Sequence, residues 1–389
     1  MYKIKTLNAI SDIIHDYLPA TSYEITTEGD DYHGILVRSA QCCDMAFPDS
    51  LLAISRAGAG VNNIPIDRCS ESGICVFNTP GANANAVKEL VLAAMLFASR
   101  NIPAAIDWIN TLKGKGDKVA PLVEKGKSQF VGPEIRGKKL GVIGLGAIGV
   151  MVANDAKAIG MEVYGYDPFI SVESAWHLSR GIHRSNSLDE LLSTCDYITL
   201  HVPLMEKTRG YIGVEQLSKI KKGAYLLNFA RGELVDLPAI LEALETGVVA
   251  KYITDFPTDE LIKHPNAIAI PHLGASTPES EETCAAMAAS QLRSYIEHGD
   301  IINSVNLPDC CMPHSTGIRL TFVHRNAPNM VGQIAAVLAQ HHANIDNMIN
   351  KSKGNMAYTM IDLDEAVGNG LTMRLESIDG VIRVREIRT

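Results

Sequence analysis

Leu140-Gly141-Val142-Ile143-Gly144-Leu145-Gly146-Ala147-Ile148-Gly149 is the stretch whose reading decides the fold. Leu140–Ile143 reads as a buried strand, Ala147–Ile159 as a helix, and Met161–Tyr166 as a second strand that ends at Asp167, eighteen residues beyond Gly149. In this order the glycines have distinct tasks. Gly144 permits the tight turn, Gly146 lets a pyrophosphate approach the backbone, and Gly149 lets helix and strand pack closely. The helix N-terminus at Ala147 and Ile148 then faces the phosphates. A carboxylate at Asp167 accepts hydrogen bonds from an adenosine ribose and repels a 2′-phosphate, which favours NAD over NADP.

About 140 residues precede this turn, so the nucleotide domain does not open the chain. A length of 389 residues predicts two or three domains with sizeable cores. A net charge of −9 argues against a general affinity for nucleic acid or anionic membranes. No apolar run is long enough to span a bilayer, and the start, MYKIKTLNAI, lacks the apolar core of a signal peptide and reads as a first strand. The expected location is the cytoplasm. Eight cysteines are scattered without C-x-x-C spacing or a His/Cys cluster, which predicts reduced thiols and no metal site.

Strands are expected at Tyr2–Leu7, Gly34–Ser39, Leu52–Ser55 and Ile74–Asn78, alternating with helices, which implies a parallel sheet. A long helix follows Val87, and Thr111–Gly132 reads as a solvent-facing loop. Further strands fall near Tyr197–His201, Tyr225–Asn228 and Ile253–Asp255, followed by a second long helix at Pro278–His298. Two long helices bracketing one domain predict its insertion into another. The expected division is a substrate-binding domain at 1–93 and 272–303, a nucleotide domain at 94–271, a linker at 304–316 and a separate C-terminal unit at 317–389. That last unit reads βαββαβ.

Chemistry beyond the nucleotide turn is expected at strand ends. LLNFARGELVD places Arg231 just past one strand, AIAIPHLGAST places His272 past another, and ITDFPTDE ends a strand with Asp255, Asp259 and Glu260. Arg clamps a carboxylate bidentately, and His exchanges a proton near neutral pH with a carboxylate to hold its ring. The three together suit oxidation of a 2-hydroxy acid.

IGLGAIG (143–149), YDP (166–168), HVPL (201–204), NFARGELVD (228–236) and PHLGAST (271–277) resemble the D-isomer-specific 2-hydroxyacid dehydrogenases, over essentially residues 1–305. The resemblance implies an α/β fold, with a Rossmann-type nucleotide-binding domain inserted into a flavodoxin-like substrate domain. It implies His272 as acid/base, Arg231 as binder of the substrate carboxylate, and an acid beside His272. Ungapped counting from Asp236 puts that acid at Glu260. The family's DVFxxEP is TDFPTDEL here, which leaves Asp259 as the alternative. Ala147, Ile148, Asp167, Ala230, Asp255 and Gly274 are the implied NAD contacts, and Ala147 stands where many relatives carry Arg or His.

VRSA (37–40), SRAGAGVNNI (55–64) and NTPGANANAVKEL (78–90) resemble the branch of the family that oxidises 3-phospho-D-glycerate to 3-phosphooxypyruvate, the first step of L-serine biosynthesis. Arg56 is then the phosphate cation, with Arg38, Ser39, Gly58 and Asn78 around the substrate; Lys88 replaces a residue that is small in relatives. HRNAPNMVGQIAAVLAQHHANID resembles an ACT domain, and His324, Asn326 and Asn344 match positions that bind serine between two subunits. A serine effector and a homo-oligomer, dimer or tetramer, follow from that resemblance. Two alternatives stay open: a dehydrogenase for another D-2-hydroxy acid of the glyoxylate or D-lactate type, and a non-catalytic NAD-sensing binding protein on the same fold.

Overall fold

The computed structural model describes residues 1–313, 317–364 and 370–388. The last three residues of the expected linker, 314–316, therefore lie outside the described residues. The chain divides into two compact units, Met1–Ala82 with Pro278–Thr389, and Asn83–Thr277.

In the first unit, β1 (Tyr2–Leu7), β2 (Tyr23–Thr26), β3 (Gly34–Val37), β4 (Ala53–Arg56) and β5 (Cys75–Phe77) form a sheet in the order β2-β1-β3-β4-β5. All four pairings are parallel, and the order is the flavodoxin-like one. Ile35, Leu36, Ala53, Ile54 and Val76 are buried, as a sheet covered on both faces demands. Helix Pro278–His298 crosses it through a stripe of small and apolar residues, Cys284, Ala285, Ala288, Ala289 and Leu292. The close approach lets the Ser55 hydroxyl donate to the Ala288 carbonyl at 2.9 Å.

The expected linker is packed rather than loose over its described residues. Val305 donates its N–H to the Val76 carbonyl at 2.9 Å, the Asn306 carboxamide pairs with Val76 N–H and the Ile74 carbonyl, and Leu307 and Cys310 are buried. The reason is the open edge of β5, whose backbone groups need partners. Asn306 and its neighbours supply them.

The second unit holds β6 (Lys139–Ile143), β7 (Glu162–Tyr166), β8 (His183–Arg184), β9 (Tyr197–Leu200), β10 (Ala224–Asn228), β11 (Val249–Thr254) and β12 (Ala267–Ala269). They form one parallel sheet in the order β12-β11-β10-β9-β6-β7-β8. The order reverses between β6 and β9, a Rossmann-type switch point, and the glycine turn leaves β6 there. Helices Ala84–Ser99 and Ala147–Ala158 pack on this sheet through Ala94, Ala98, Ala153 and Ala156. Thr111–Gly132, expected to be a loop, is exposed but carries helical turns at Gly116–Lys118, Val119–Gly126 and Lys127–Phe130. Trp108 and Phe130 close that excursion with ring centroids 5.4 Å apart, a contact between residues too far apart in sequence to show as periodicity.

The C-terminal part of the first unit is antiparallel. Strands β13 (Ile318–Arg325), β14 (Ile345–Lys353), β15 (Met356–Leu363) and β16 (Val381–Arg388) order as β14-β15-β13-β16, with helices at Met330–Gln340 and Leu371–Glu376. Ile318, Leu320, Phe322, Ile361 and Leu363 face those helices. Val323, Met356, Tyr358 and Met360 face the opposite way and join the core of the first sheet beside Phe77, Tyr295 and Ile301. Arginines fasten the contact. Arg385 donates to the Tyr295 and Ile296 carbonyls at 3.2 and 2.9 Å, capping the last turn of helix Pro278–His298 with a positive charge. Arg319 pairs bidentately with Asp362 at 2.7 and 2.9 Å, each side chain 1% exposed, and also donates to the carbonyls of His298 and Pro313.

Removing one partner from such a pair leaves a buried charge. Asp362→Ala is expected to destabilise the protein by about 3–5 kcal/mol, read from the denaturation midpoint in urea, whereas an apolar replacement of both residues costs much less. A loss below about 1 kcal/mol for the single variant would mean that the carbonyls alone satisfy Arg319.

Candidate active site

The turn after β6 is built by backbone constraint. Gly144 has φ +91°, and a Cβ there would stand 2.7 Å from the His201 carbonyl oxygen. A Cβ on Gly149 would stand 1.9 Å from the Gly144 oxygen, so only glycine allows helix and strand to meet this closely. Nothing lies within 4 Å of the place where a Cβ on Gly146 would stand. No side chain caps helix Ala147–Ala158 at Gly146, so among the described residues its first N–H groups leave the dipole's positive end open. Asp167 closes β7, and its oxygens accept N–H bonds from Leu145 and Phe169, both at 2.8 Å. Each oxygen keeps a second lone pair for a ribose hydroxyl.

Arg231 follows β10, Asp255 follows β11 and His272 follows β12. Parallel strands bring all three past the same carboxyl edge. Arg231 is exposed, and its guanidinium donates to the Ala230 carbonyl at 2.6 Å. Gly232 leaves room for Phe256, whose ring lies edge-on to His272 at 5.0 Å between centroids. His272 itself is exposed and makes no hydrogen bond with the described residues.

Asp255 is only 1% exposed, and neither carboxylate oxygen has a well-formed hydrogen bond. Burial raises its pKa; His272, the Gly274 amide and Arg231 only partly offset that. A buried, unsatisfied acceptor pair at the edge of a nucleotide sheet fits the carboxamide end of a nicotinamide ring. The open glycine turn, the uncapped helix and these bare oxygens together fit NAD.

The acid expected beside His272 is less settled by geometry. Glu260 is exposed on the first turn of helix Asp259–Lys263 and forms no ion pair or hydrogen bond with the described residues, so this structure does not bring it onto His272. Asp259, the alternative, is paired with Lys263. Lys88 pairs with Asp155 at 2.7 Å, which fixes its ammonium on helix Ala147–Ala158.

In the other unit, Arg56 ends β4 and donates to the carbonyls of Arg38, at 2.9 Å, and Gly60. Gly58, at φ +151°, lies under its guanidinium, where a Cβ would stand 3.0 Å from Nη1. Asn78 donates to the Ala59 carbonyl at 2.6 Å. The Ser39 amide is not open to an anion, because it and the Ala40 amide already bond the Asn8 carboxamide oxygen at 3.2 and 2.6 Å. Arg38 is held in an ion pair with Glu281 at 2.7 Å. Asn8, at φ +74°, had no signal as a single residue before β3 and its neighbours were placed.

His324 is buried, with Nδ1 2.8 Å from the Arg325 carbonyl and Nε2 2.8 Å from the Thr359 hydroxyl; burial lowers its pKa. Asn326 bonds the Gly354 carbonyl at 3.2 Å. Asn344 bonds Asp364 at 2.9 Å, beyond the end of the sheet where Ile345 and Ile318 both pair with Leu363. His324 pairs with Ala357 at the other end, so six residues of strand, about 20 Å, separate the two sites within one chain. Asn329, which stands in place of a glycine, adopts φ +62° before helix Met330–Gln340, a conformation that asparagine tolerates.

Two polar residues at strand ends, half-buried His201 and buried Asn228, were not singled out from sequence. His201, after β9, bonds Thr199 at 3.0 Å through Nε2 and leaves Nδ1 without a partner; burial lowers its pKa to about 3. Asn228 lies inside the quoted NFARG motif, which was the available signal. Among the described residues no group of three or more His, Cys, Asp or Glu could hold a metal ion, and no single helix is long and apolar enough to cross a membrane.

The Asp255 geometry has a consequence for stability. Its folded pKa lies above the unfolded value, so its contribution to stability is fully present below the ordinary carboxylate range and is lost as pH rises through the raised value. Asp255→Asn is therefore expected to raise the melting temperature of the NAD-free protein at pH 7, with the gain shrinking as the pH approaches 4. Wild-type protein melting as high as the variant at pH 7 would mean that the charge is compensated after all.

Residues 92–274 match the NAD binding domain of the D-isomer specific 2-hydroxyacid dehydrogenases. The chain is 33% identical over 347 residues to a D-3-phosphoglycerate dehydrogenase of Haemophilus influenzae, covering 86% of this chain and 81% of that protein. It is 40% identical over 267 residues to the enzyme of that name from Methanocaldococcus jannaschii, covering 67% and 48% respectively. A solved NAD+-bound 3-phosphoglycerate dehydrogenase from Entamoeba histolytica superimposes with a TM-score of 0.61 at 28% identity, over 78% of this chain and 98% of that one. A glyoxylate reductase structure from Paecilomyes thermophila gives 0.64 at 28% identity over the same shares. The chain thus belongs to the D-isomer specific 2-hydroxyacid dehydrogenases, as an NAD-dependent oxidoreductase acting on a small-molecule substrate.

Proposed function

We propose that this protein oxidises 3-phospho-D-glycerate to 3-phosphooxypyruvate, opening L-serine synthesis. The observation that carries the reading is the placement of Arg231, Asp255 and His272 past the carboxyl ends of β10, β11 and β12, beside an NAD turn. The relatives that share most of its length bear the name of that enzyme, which supports the substrate. Arg56, with its guanidinium across Gly58 at the end of β4, supports a phosphorylated acid over D-lactate or glyoxylate.

In the forward direction His272 takes the proton of the C2 hydroxyl. The chemistry that NAD would supply when bound is an acceptor for the C2 hydride. Arg231 clamps the substrate carboxylate and steadies the developing C2 carbonyl. Asp255 holds the carboxamide end of the nicotinamide. Glu260, free of other partners on its helix, steadies the charged imidazole. Ala230 and Gly274 line the NAD site with their backbone, Arg56 with Gly58 and Asn78 receives the phosphate, and Arg38 is released to it from Glu281.

For regulation, L-serine is the proposed effector, binding through His324, Asn326 and Asn344. Because one chain keeps His324 and Asn344 about 20 Å apart, a site using both needs two chains, and a homo-oligomer of at least two subunits follows.

The test is NADH formation from 3-phospho-D-glycerate beside D-lactate and D-glycerate, with and without L-serine. Selective turnover of the phosphorylated acid and its inhibition by serine are expected; turnover of only the unphosphorylated acids would sink the reading. Arg231→Lys is expected to lower kcat/KM by about 100-fold or more, through loss of the bidentate clamp. His272 must take up the C2 hydroxyl proton in oxidation, and a carboxylate beside it stabilises the imidazolium that forms. Glu260→Gln is therefore expected to lower kcat by about 10-fold or more, and Asp259→Asn to leave it within about 2-fold of wild type. The reverse pattern would reassign the acid.

A further inference from the structure

Asn228 ends β10 fully buried, and its carboxamide is committed to the turn that presents Arg231. Its Oδ1 accepts the Ala230 N–H at 3.2 Å. Its Nδ2 donates to the Arg231 carbonyl at 2.8 Å and to the Tyr252 hydroxyl at 3.3 Å. The parallel register sets Asn228 beside Thr254 and Leu226 beside Tyr252, so Tyr252 and Thr254 share the sheet face of Asn228. Tyr252 also shares a hydrogen bond with Thr254, whose Oγ1 accepts the Phe256 N–H at 3.1 Å. The bonded chain therefore runs from the Arg231 backbone through Asn228, Tyr252 and Thr254 to Phe256, the ring that lies edge-on to His272.

We propose that Asn228 is a positioning residue, braced by Tyr252 and Thr254, that fixes where the Arg231 guanidinium stands. This rests on the reading of Arg231 as the binder of the substrate carboxylate. The side chain of Arg231 is exposed, and among the described residues its one hydrogen bond goes to Ala230, in its own turn. Its direction is thus inherited from that turn, and the turn is held by Asn228. A misplacement of about 1 Å in a clamp of this kind costs on the order of 100-fold in rate. The residue type matters as well as the size. The Arg231 carbonyl only accepts, so a carboxylate in the same place would face it oxygen to oxygen and lose that bond, even though the Tyr252 hydroxyl can turn to donate to it.

The experiment measures kcat and KM for 3-phospho-D-glycerate, the Kd for NADH by fluorescence, and the Kd of oxalate for the NADH complex, in wild type, Asn228→Ala, Asn228→Asp and Tyr252→Phe. Oxalate reads the carboxylate clamp without turnover. Asn228→Ala and Asn228→Asp are expected to lower kcat/KM and weaken oxalate by about 30–100-fold, while the Kd for NADH changes less than about 3-fold. Tyr252→Phe is expected to cost about 3–10-fold, and it deletes almost no buried volume, so it carries the test if the Asn228 variants do not fold. In an Arg231→Lys background these losses should shrink to less than about 3-fold, because residues acting through one guanidinium are not additive. Equal losses in both backgrounds, or a parallel weakening of NADH, would make Asn228 a general structural residue and overturn the proposal. Failure of wild type to turn over any 2-hydroxy acid would instead remove the functional reading, with the oxalate series still reporting on the turn.

Discussion

The Gly144 carbonyl oxygen stands 1.9 Å from where a side chain on residue 149 would begin, and much of the nucleotide unit depends on that contact. It pins the first turn of helix Ala147–Ala158 against the end of β6 at the point where the strand order reverses. With the helix pinned, its unpaired N–H groups and the Asp167 carboxylate converge on the same opening. The parallel sheet then delivers three later strand ends to the same edge, so residues 231, 255 and 272, far apart in sequence, need no further device to become neighbours in role.

What could be read in advance followed the range of the interaction. The strand–turn–helix at 140–159 and the long helix Pro278–His298 are local patterns, and both appear in the structure where the residues indicate. β2, with the sequence YEIT, buries only Tyr23, so its hydrophobic signal is too short to stand out. The excursion at Thr111–Gly132 is organised by the contact of Trp108 with Phe130, and the stretch after Asn303 by the unpaired edge of β5. Neither partner is visible from the stretch itself. At the site, residue types in motifs were legible, but occupancy was not. Nothing in Ser39 announces that Asn8 takes its amide, and nothing in Glu260 announces that its side chain stands apart from His272.

Two buried carboxylates show how framework and site divide the cost of burying charge. Asp362 meets Arg319 in a bidentate pair, the arginine's other protons reach carbonyls, and nothing is left unsatisfied at the carboxyl end of the pair. Asp255 has no such closure; Arg231 and His272 bear on it from a distance. A framework is served by complete pairing, since an unpaired ion there only destabilises. A binding site needs the opposite: a bare acceptor whose desolvation has already been met by the fold, so that a ligand's N–H completes it. The same contrast separates Arg319, spent on the fold, from Arg231, kept exposed on a turn that Asn228 holds rigid.

The C-terminal sheet shows the same division. One face of β13 and β15 belongs to its own helices and the other to the core shared with helix Pro278–His298, leaving its loops and the exposed edge β14 as the accessible features. His324 is already saturated by Arg325 and Thr359. An effector that uses it must either accept the ring as a fixed, neutral wall or break two hydrogen bonds. Asn344 lies at the far end of the sheet from it, so no single small molecule reaches both residues within one copy of this sheet.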